Sequence, residues 1–184
     1  NIITVLVLLG VAAVSSQLAA RVREQALLAR RSAAQNGALA GFARLLAGVG
    51  QEADLGQLLC AEVARLLDVQ SVLLLPDGEG LALRAAFPPA DRLEMLEQAA
   101  ARWAFDHNQP AGRGSDTLTA SEWLFHPLGA GGRVLGVIGV ARADARAPVR
   151  SDQLPLLLSL IDQAGLALER IELQSVVGRA AQPG

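Results

Sequence analysis

The distribution of apolar and polar positions divides this 184-residue chain into segments of different character. Residues 1–20 carry no charged side chain, and twenty helical residues at about 1.5 Å each span about one hydrocarbon thickness. Four Arg follow between positions 21 and 31, so the positive-inside rule places the C-terminal side in the cytoplasm. We therefore predict a transmembrane helix over 1–20 and a juxtamembrane helix over 21–50. A signal peptide and a buried soluble helix are the alternatives.

Residues 51–150 alternate between the period of helices and the period of strands. A helix is predicted up to about Leu67, beginning with a capping box formed by Asp54 and Gln57. A second helix is predicted from about Ala90, after Pro88 and Pro89, and residues 108–120 are predicted to form a loop. The strands that the alternation predicts lie near 72–75, 81–87, 122–128 and 133–141.

Residues 151–178 have the pattern of a long helix, with 179–184 as a tail. Five of its apolar residues are spaced alternately by four and three positions: Leu157, Ile161, Ala164, Leu168 and Ile171. That spacing is typical of the contact line of a coiled coil, and it predicts a homodimer through these residues. Only about two heptads precede Gly178, so packing of the first half against a sheet is an equally good interpretation.

The order of these elements predicts an α+β fold. Helix, helix, strand, strand, helix, loop, strand, strand, helix is the order of a GAF/PAS-like sensor domain, an antiparallel sheet with packed helices. That domain is predicted over 51–150. The transmembrane and juxtamembrane helix would precede it, and a coiled-coil-like exit helix would end it.

Composition excludes several classes of function. The net charge is −2, and the first 50 residues hold five Arg and one Glu, so the remainder is acidic and unsuited to nucleic acid. A single Cys excludes an internal disulfide and a multi-thiolate metal site, and it suits a reducing compartment. We find no catalytic triad, and neither kinase phosphate-binding nor metal-binding motifs, so no catalytic or metal-ligating residue is predicted.

The candidate site lies in residues 103–128, which contain both His and four of the six aromatic residues. A loop rich in glycine follows a helix there, and polar groups on such a loop can orient a ligand in a pocket. The candidate ligand-binding residues are Trp103, His107, Arg113, Ser115, Asp116 and Thr117. The alternatives are structural: Trp103 in the core, His107 hydrogen-bonded locally, and Arg113 paired with Asp116 in a loop that caps the sheet.

Two further residues received a structural interpretation. Cys60 lies beside Leu59 in an apolar helix, where it is predicted to be a small core residue. His126 is predicted to face away from Trp123 and Phe125 in its strand, and no second ligand accompanies it for a metal or haem.

One block of this segment resembles a known family. The block is Trp103-Ala104-Phe105, His107, Gln109-Pro110-Ala111-Gly112 and Gly114-Ser115-Asp116-Thr117-Leu118. It is similar to the GAF-like domain of potassium-responsive sensor histidine kinases of the KdpD type, and the resemblance extends over the whole chain. Motifs for cyclic-nucleotide or bilin binding are not recognisable, so the resemblance implies no particular ligand.

The resemblance implies a homodimeric kinase of the bacterial inner membrane that phosphorylates a response regulator and controls potassium uptake. The chain would be a piece of that protein, its soluble part cytoplasmic, joining the membrane to a kinase core beyond Gly184. ATP and Mg would belong to that core, and no cofactor is expected in this chain. One alternative is a small-molecule-binding GAF module of another membrane signalling protein, such as a cyclase. Another is a free methionine sulfoxide reductase, which the single Cys disfavours.

Overall fold

The computed structural model describes residues 33–144 and 146–180. Helical residues 33–47, which we call α1, come first. The predicted transmembrane helix over 1–20 and the beginning of the predicted juxtamembrane helix lie outside the described residues. Within the described ranges, no helix combines the length and the apolar character that crossing a bilayer requires.

The elements after α1 form one antiparallel sheet with helices packed on it, which confirms the predicted α+β fold. The strands lie in the order β2-β1-β5-β4-β3, and every neighbouring pair is antiparallel. In chain order the elements are α2 (Glu52–Leu67), β1 (Gln70–Asp77), β2 (Gly80–Phe87), α3 (Met95–His107), β3 (Ala111–Gly112), β4 (Leu124–Ala130), β5 (Arg133–Ala141) and α4 (Leu154–Ala180).

The helices divide between the two faces of the sheet. Side chains alternate along a strand, so Val72 and Leu74 of β1 share a buried cluster with α3, together with Phe125 of β4. Leu73 points the other way, and a Cβ placed on Gly56 of α2 would lie 3.1 Å from it. Helix α4 packs on β4 beside α2. We call the two sides the α3 face and the α2/α4 face.

Glycine permits an unusually close contact between α4 and the sheet. A Cβ at Gly165 would lie 2.2 Å from the carbonyl oxygen of Gly129 in β4, well inside van der Waals contact. Helix α4 can therefore lie directly on the backbone of β4, and this contact fixes the helix relative to the strand.

The predicted contact line on α4 needs a correction. Its five residues are buried within the single chain, with exposures of 0% for Leu157, 3% for Ile161, 0% for Ala164, 1% for Leu168 and 7% for Ile171. They face the molecule's own core because α4 packs against β4, β5 and α2. Packing against the sheet, the interpretation given above for the first half, is joined by packing against α2, and these side chains are not available to a second copy.

Three local predictions were wrong for identifiable reasons. The N-cap of α2 is Gln51, so Asp54 lies in the first turn, where a carboxylate interacts favourably with the helix dipole, and forms no capping box. Helix α3 begins at Met95, later than the predicted start near Ala90. Leu93 is buried and so extends the apolar pattern, but it precedes the helix. Strand β3 occupies only Ala111–Gly112 and is too short to give a periodic signal.

Strand β1 also continues through Pro76, where the sequence predicted its end. The pairing of β1 with β5 ends at Leu74, so Pro76 pairs only with Leu81 of β2. A proline is tolerated there because one side of the strand needs no ladder hydrogen bond.

Candidate functional site

The end of α3 is a packed structural unit. Trp103 is half-buried against the apolar cluster of the α3 face. The ring of His107 stacks on Trp103 with centroids 4.3 Å apart and planes 11° from parallel. Nδ1 of His107 donates to the carbonyl oxygen of Trp103, one turn earlier in α3, over 3.0 Å. Both side chains are therefore engaged in bracing the helix terminus.

The loop that follows is held to β4 by backbone contacts that only glycine allows. Gly112 has φ +101°, and a Cβ there would lie 1.9 Å from the carbonyl oxygen of Trp123. Its N–H donates to the carbonyl oxygen of Thr117 over 2.7 Å, and the N–H of Arg113 donates to that of Trp123 over 2.9 Å. At Gly112 and Arg113, the loop is therefore hydrogen-bonded both to its own residue Thr117 and to Trp123, the residue before β4.

Two serine hydroxyls complete this bracing. Ser115 Oγ lies 2.8 Å from the carbonyl oxygens of Gly112 and Thr117, and it accepts from the N–H of Thr117 over 3.2 Å. Ser121 is fully buried, and its Oγ accepts from the N–H of Trp123 over 3.2 Å. The role of Ser121 is not predictable from the sequence, since a serine in a polar loop gives no signal that distinguishes bracing from solvation.

A cavity of about 380 Å³ lies between this loop, β4 and the segment leading into α4. Its lining residues come from these three segments: Gln109, Pro110, Gly114, Ser115, Asp116, Thr117, Leu124, His126, Val149, Arg150, Ser151 and Leu154. The cavity therefore brings Ser115, Asp116 and Thr117 together with His126. Trp103, His107 and Arg113 are not among the residues that line it, so the predicted set divides in two.

His126 belongs to this cavity because of strand alternation. Phe125 points into the α3 face, so His126 points to the α2/α4 face, as the sequence predicted. Burial lowers the pKa of its imidazole, which favours the neutral ring. From the sequence, the one functional role considered for His126 is that of a metal or haem ligand. The signal for a cavity residue was its alternation with the neighbouring aromatic residues.

Arg150, which lines the cavity, forms an exposed ion pair with Asp152. Nε of Arg150 donates to Oδ1 of Asp152 over 3.0 Å, and Nη2 donates to Oδ2 over 3.1 Å. This contact raises the pKa of the Arg150 guanidinium. Arg150 also starts α4, because its carbonyl oxygen accepts from the N–H groups of Gln153 and Leu154 over 2.9 and 3.1 Å.

Nucleophilic and metal chemistry find little support in the described part of the chain. Burial raises the pKa of the Cys60 thiol to about 12, so the sulfur stays protonated and unreactive at neutral pH. Ser71 Oγ donates to the backbone carbonyl of Cys60 over 2.6 Å in the same buried region. Among the described residues, no three His, Cys, Asp or Glu side chains are grouped so that they could hold a metal ion.

A second polar arrangement joins the end of α1 to α4. Nη2 of Arg170 lies 2.9 Å from the carbonyl oxygens of both Leu46 and Val49 and donates to them. Leu46 belongs to the last turn of α1, and its carbonyl oxygen also accepts from the N–H of Val49 over 3.2 Å. A cation is also favoured at that end by the helix dipole. The side chain of Arg170 therefore connects the two helices that flank the sensor domain.

Comparison with known proteins assigns the class to which this fold and site belong. The family model described as GAF domain matches residues 52–170, and the chain belongs to the GAF domain family. The sensor protein KdpD of Escherichia coli K12 is 30% identical over 172 residues, which are 94% of this chain and 19% of that protein. The resemblance to KdpD-type kinases is confirmed, and the chain spans about a fifth of the length of that relative.

Solved structures agree with this assignment. The native GAF domain of the potassium sensor histidine kinase KdpD from Escherichia coli is 26% identical, with a TM-score of 0.65, covering 76% of this chain and 96% of that one. The GAF domain of the Acinetobacter phosphoenolpyruvate-protein phosphotransferase is 15% identical, with a TM-score of 0.62, covering 79% and 97%. The second match shows only that the fold is shared.

Proposed function

We propose that this chain is the sensory and relay region of a membrane-bound two-component sensor histidine kinase that controls potassium uptake. Similarity to KdpD along 94% of the chain supports the kinase. The observation that carries the relay is the contact of Arg170 with Leu46 and Val49, since it joins the helix before the domain to the helix after it.

The relay follows from how Arg170 is held. Its guanidinium donates to two carbonyl oxygens near the end of α1, while its backbone belongs to α4. Charge-assisted hydrogen bonds are stronger and more directional than neutral ones. A displacement of residues 41–49 would therefore change the position that α4 prefers. Two arrangements of α4 would give the kinase core two activities.

The proposed partners lie on both sides of this relay. Residues 1–20 would anchor the protein in the inner membrane. A kinase core that uses ATP and Mg would follow α4 and phosphorylate a response regulator. A homodimer would form through the exposed side of α4, where Leu166 is 61% and Leu173 60% exposed. These residues stand seven apart, the repeat of a two-helix contact, and Val177 extends the line.

A chimera tests the relay. Residues 33–180 replace the aligned region of the Escherichia coli protein, and a reporter of potassium-dependent expression is measured across potassium concentrations. Arg170→Met keeps the apolar stem and removes the guanidinium. We expect membrane insertion and expression to persist while the response to potassium flattens.

The matched control is Arg133→Met, which removes an exposed ion pair between β5 and Glu172 of α4 (2.7 Å). It should respond as the parent chimera does. The relay is contradicted if Arg170→Met responds like the control. The kinase assignment is contradicted if a folded, membrane-inserted chimera gives no output at any potassium concentration.

The homodimer has a separate test. Leu173→Asp should weaken self-association in sedimentation experiments and leave the melting temperature nearly unchanged, because Leu173 is exposed. Leu168→Asp should instead unfold the domain, since a charge would be buried in the core. An unchanged monomer fraction for Leu173→Asp would rule out this side of α4 as the interface.

A further inference from the structure

The cavity beside the start of α4 has the size and construction of a small-molecule site. Its volume of about 380 Å³ lies within the range of ligand pockets, about 300–1,000 Å³. Its walls belong to segments far apart in sequence, the loop residues 114–117 and the segment at 149–154, while Leu124 and His126 of β4 form its floor. The α3 face, by contrast, is filled by side chains such as Trp103, Phe105 and Trp123.

The charges that line the cavity are balanced and come from two segments that are far apart in sequence. Among the lining residues, Asp116 of the loop is the only acidic side chain and Arg150 before α4 is the only basic one. His126 on the floor has a pKa lowered by burial, so it adds no charge at neutral pH. A lining of zero net charge gives little attraction to a polyanion such as a nucleotide. It suits a molecule that carries one positive and one negative group.

The uncharged residues suit the body of such a molecule. Leu124, Val149 and Leu154 supply apolar surface, and Thr117 and Ser151 supply hydroxyl groups. The Ser115 hydroxyl is already engaged by Gly112 and Thr117, so it shapes the loop. A short aliphatic body between two charged ends matches this arrangement better than an extended aromatic ring system does.

Arg150 can donate hydrogen bonds to a ligand carboxylate although it already contacts Asp152. The two side chains are 64% and 71% exposed, and an exposed ion pair contributes little free energy. Two of the five guanidinium N–H groups point at Asp152, which leaves donors for a second carboxylate. The loop forms one wall of the cavity, so a carboxylate bound between that wall and Arg150 would be less hydrated than Asp152 is.

We propose that this cavity binds a small zwitterion of the amino-acid class, with its carboxylate on Arg150 and its ammonium group on Asp116. This deepens the proposed sensory function and rests on it. Arg150 holds the first turn of α4 through its carbonyl oxygen, so the ligand would tie the loop to the start of the helix that leads towards the kinase core.

The test measures binding to the purified full chain in detergent. The twenty amino acids are screened by thermal shift, and any that raises the melting temperature is titrated by calorimetry. Two analogues of that amino acid are titrated in the same way: the amine that lacks the carboxylate and the acid that lacks the ammonium group. We expect at least one amino acid to bind, and each one-charge analogue to bind about tenfold more weakly or worse, as expected for loss of a charged hydrogen bond.

Variants then test which side chain binds the carboxylate of the ligand and which binds its ammonium group. Asp116→Asn and Arg150→Gln should each weaken binding about tenfold or more. The matched controls are Asp91→Asn, an exposed acid outside the cavity, and Arg65→Gln, an arginine 63% exposed in an ion pair with Glu62. Both controls should bind as the parent does.

Three outcomes would overturn the proposal. They are the absence of binding by every amino acid at millimolar concentration, equal binding of a one-charge analogue, and equal losses in the control variants. These results leave the relay untouched, because the potassium response of the chimera and its Arg170→Met variant are measured without any added ligand. If the chimera experiment contradicts the relay while an amino acid still binds, the cavity is a ligand site in a protein with a different signalling output.

Discussion

The two halves of the segment that most resembles KdpD-type kinases have different surroundings in the structure. In the helical half, Trp103 and His107 stack on each other and belong to the α3 face. In the loop half, Asp116 and Thr117 line a cavity that the first turn of α4 borders. A block that is continuous in sequence therefore supplies packing on one side of the sheet and polar groups on the other.

A short stretch of chain produces this division. Asn108 adopts the left-handed conformation (φ 51°) and ends α3, and two residues of β3 then pair with the edge of β4. The chain leaves the α3 face at this edge, and the glycines after it direct the loop towards α4. Neighbours in sequence contribute to one site only if the backbone between them keeps them on one face.

The largest expected effect separates steric from conformational requirements within the loop half. Gly112→Ala places a Cβ 1.9 Å from the Trp123 carbonyl oxygen, whereas Gly114, with φ +89°, has no atom within 4 Å of that position. We expect Gly112→Ala to cost about 3 kcal/mol or more and Gly114→Ala about 1 kcal/mol, measured by urea unfolding. Equal costs would mean that the loop can move away from β4.

The second prediction concerns the helical half. Trp103→Ala removes a ring packed against the α3 face and should lower the free energy of unfolding by about 2–3 kcal/mol, less than for a fully buried Trp. His107→Ala removes an exposed ring and one hydrogen bond and should cost about 1 kcal/mol or less. If the two variants change binding to the cavity but not stability, the helical half belongs to the site.

The fold was more predictable from the sequence than the site. Alternation and apolar runs in β1, β2, β4 and β5 gave their approximate positions, because one-sided or complete burial imposes those patterns. The same logic could not assign the repeat of Leu157 to Ile171, since a helix on a sheet and a helix on a second helix bury the same kind of stripe. Only the packing of α4 on β4 and β5 decides between them.

The site was half predictable for a related reason. Ser115, Asp116 and Thr117 were found because glycines and polar residues cluster near them, but Arg150 and Ser151 come from a segment about 35 residues later. Nothing local indicates that this segment lies against the loop. The juxtaposition follows from the strand order β5-β4-β3 and the return of the chain into α4. Contacts between distant segments depend on topology, which single-residue patterns do not encode.

The third prediction uses pH to probe the floor of the cavity. Because burial lowers the pKa of His126 below its unfolded value, the unfolded state binds a proton more readily than the folded state. Stability is therefore fully present above about pH 6.5 and falls as the pH drops towards the folded pKa. Urea unfolding at pH 7.5 and 5.5 should show this loss in the parent and a smaller loss in His126→Gln.

His107→Gln is the control for that experiment, since the chain has two His and this one is exposed. It should keep the pH dependence of the parent. If His126→Gln keeps it as well, the imidazole is hydrated in the folded state and the cavity is more open than the structure indicates.

The smallest expected effect on stability is that of the loop carboxylate. Asp116 is exposed, and removing an exposed polar side chain usually changes the free energy of unfolding by no more than about 0.5 kcal/mol. Asp116→Ala should therefore unfold in urea like the parent, while it alters the output of the potassium-response chimera. Arg113→Ala is the companion variant, because Arg113 belongs to the same loop but does not line the cavity. If Asp116→Ala lowers stability as much as Trp103→Ala does, the loop braces the sheet, and both halves of the segment are structural. If Asp116→Ala and Arg113→Ala alter output equally, the loop acts as a whole and the cavity is not its functional part.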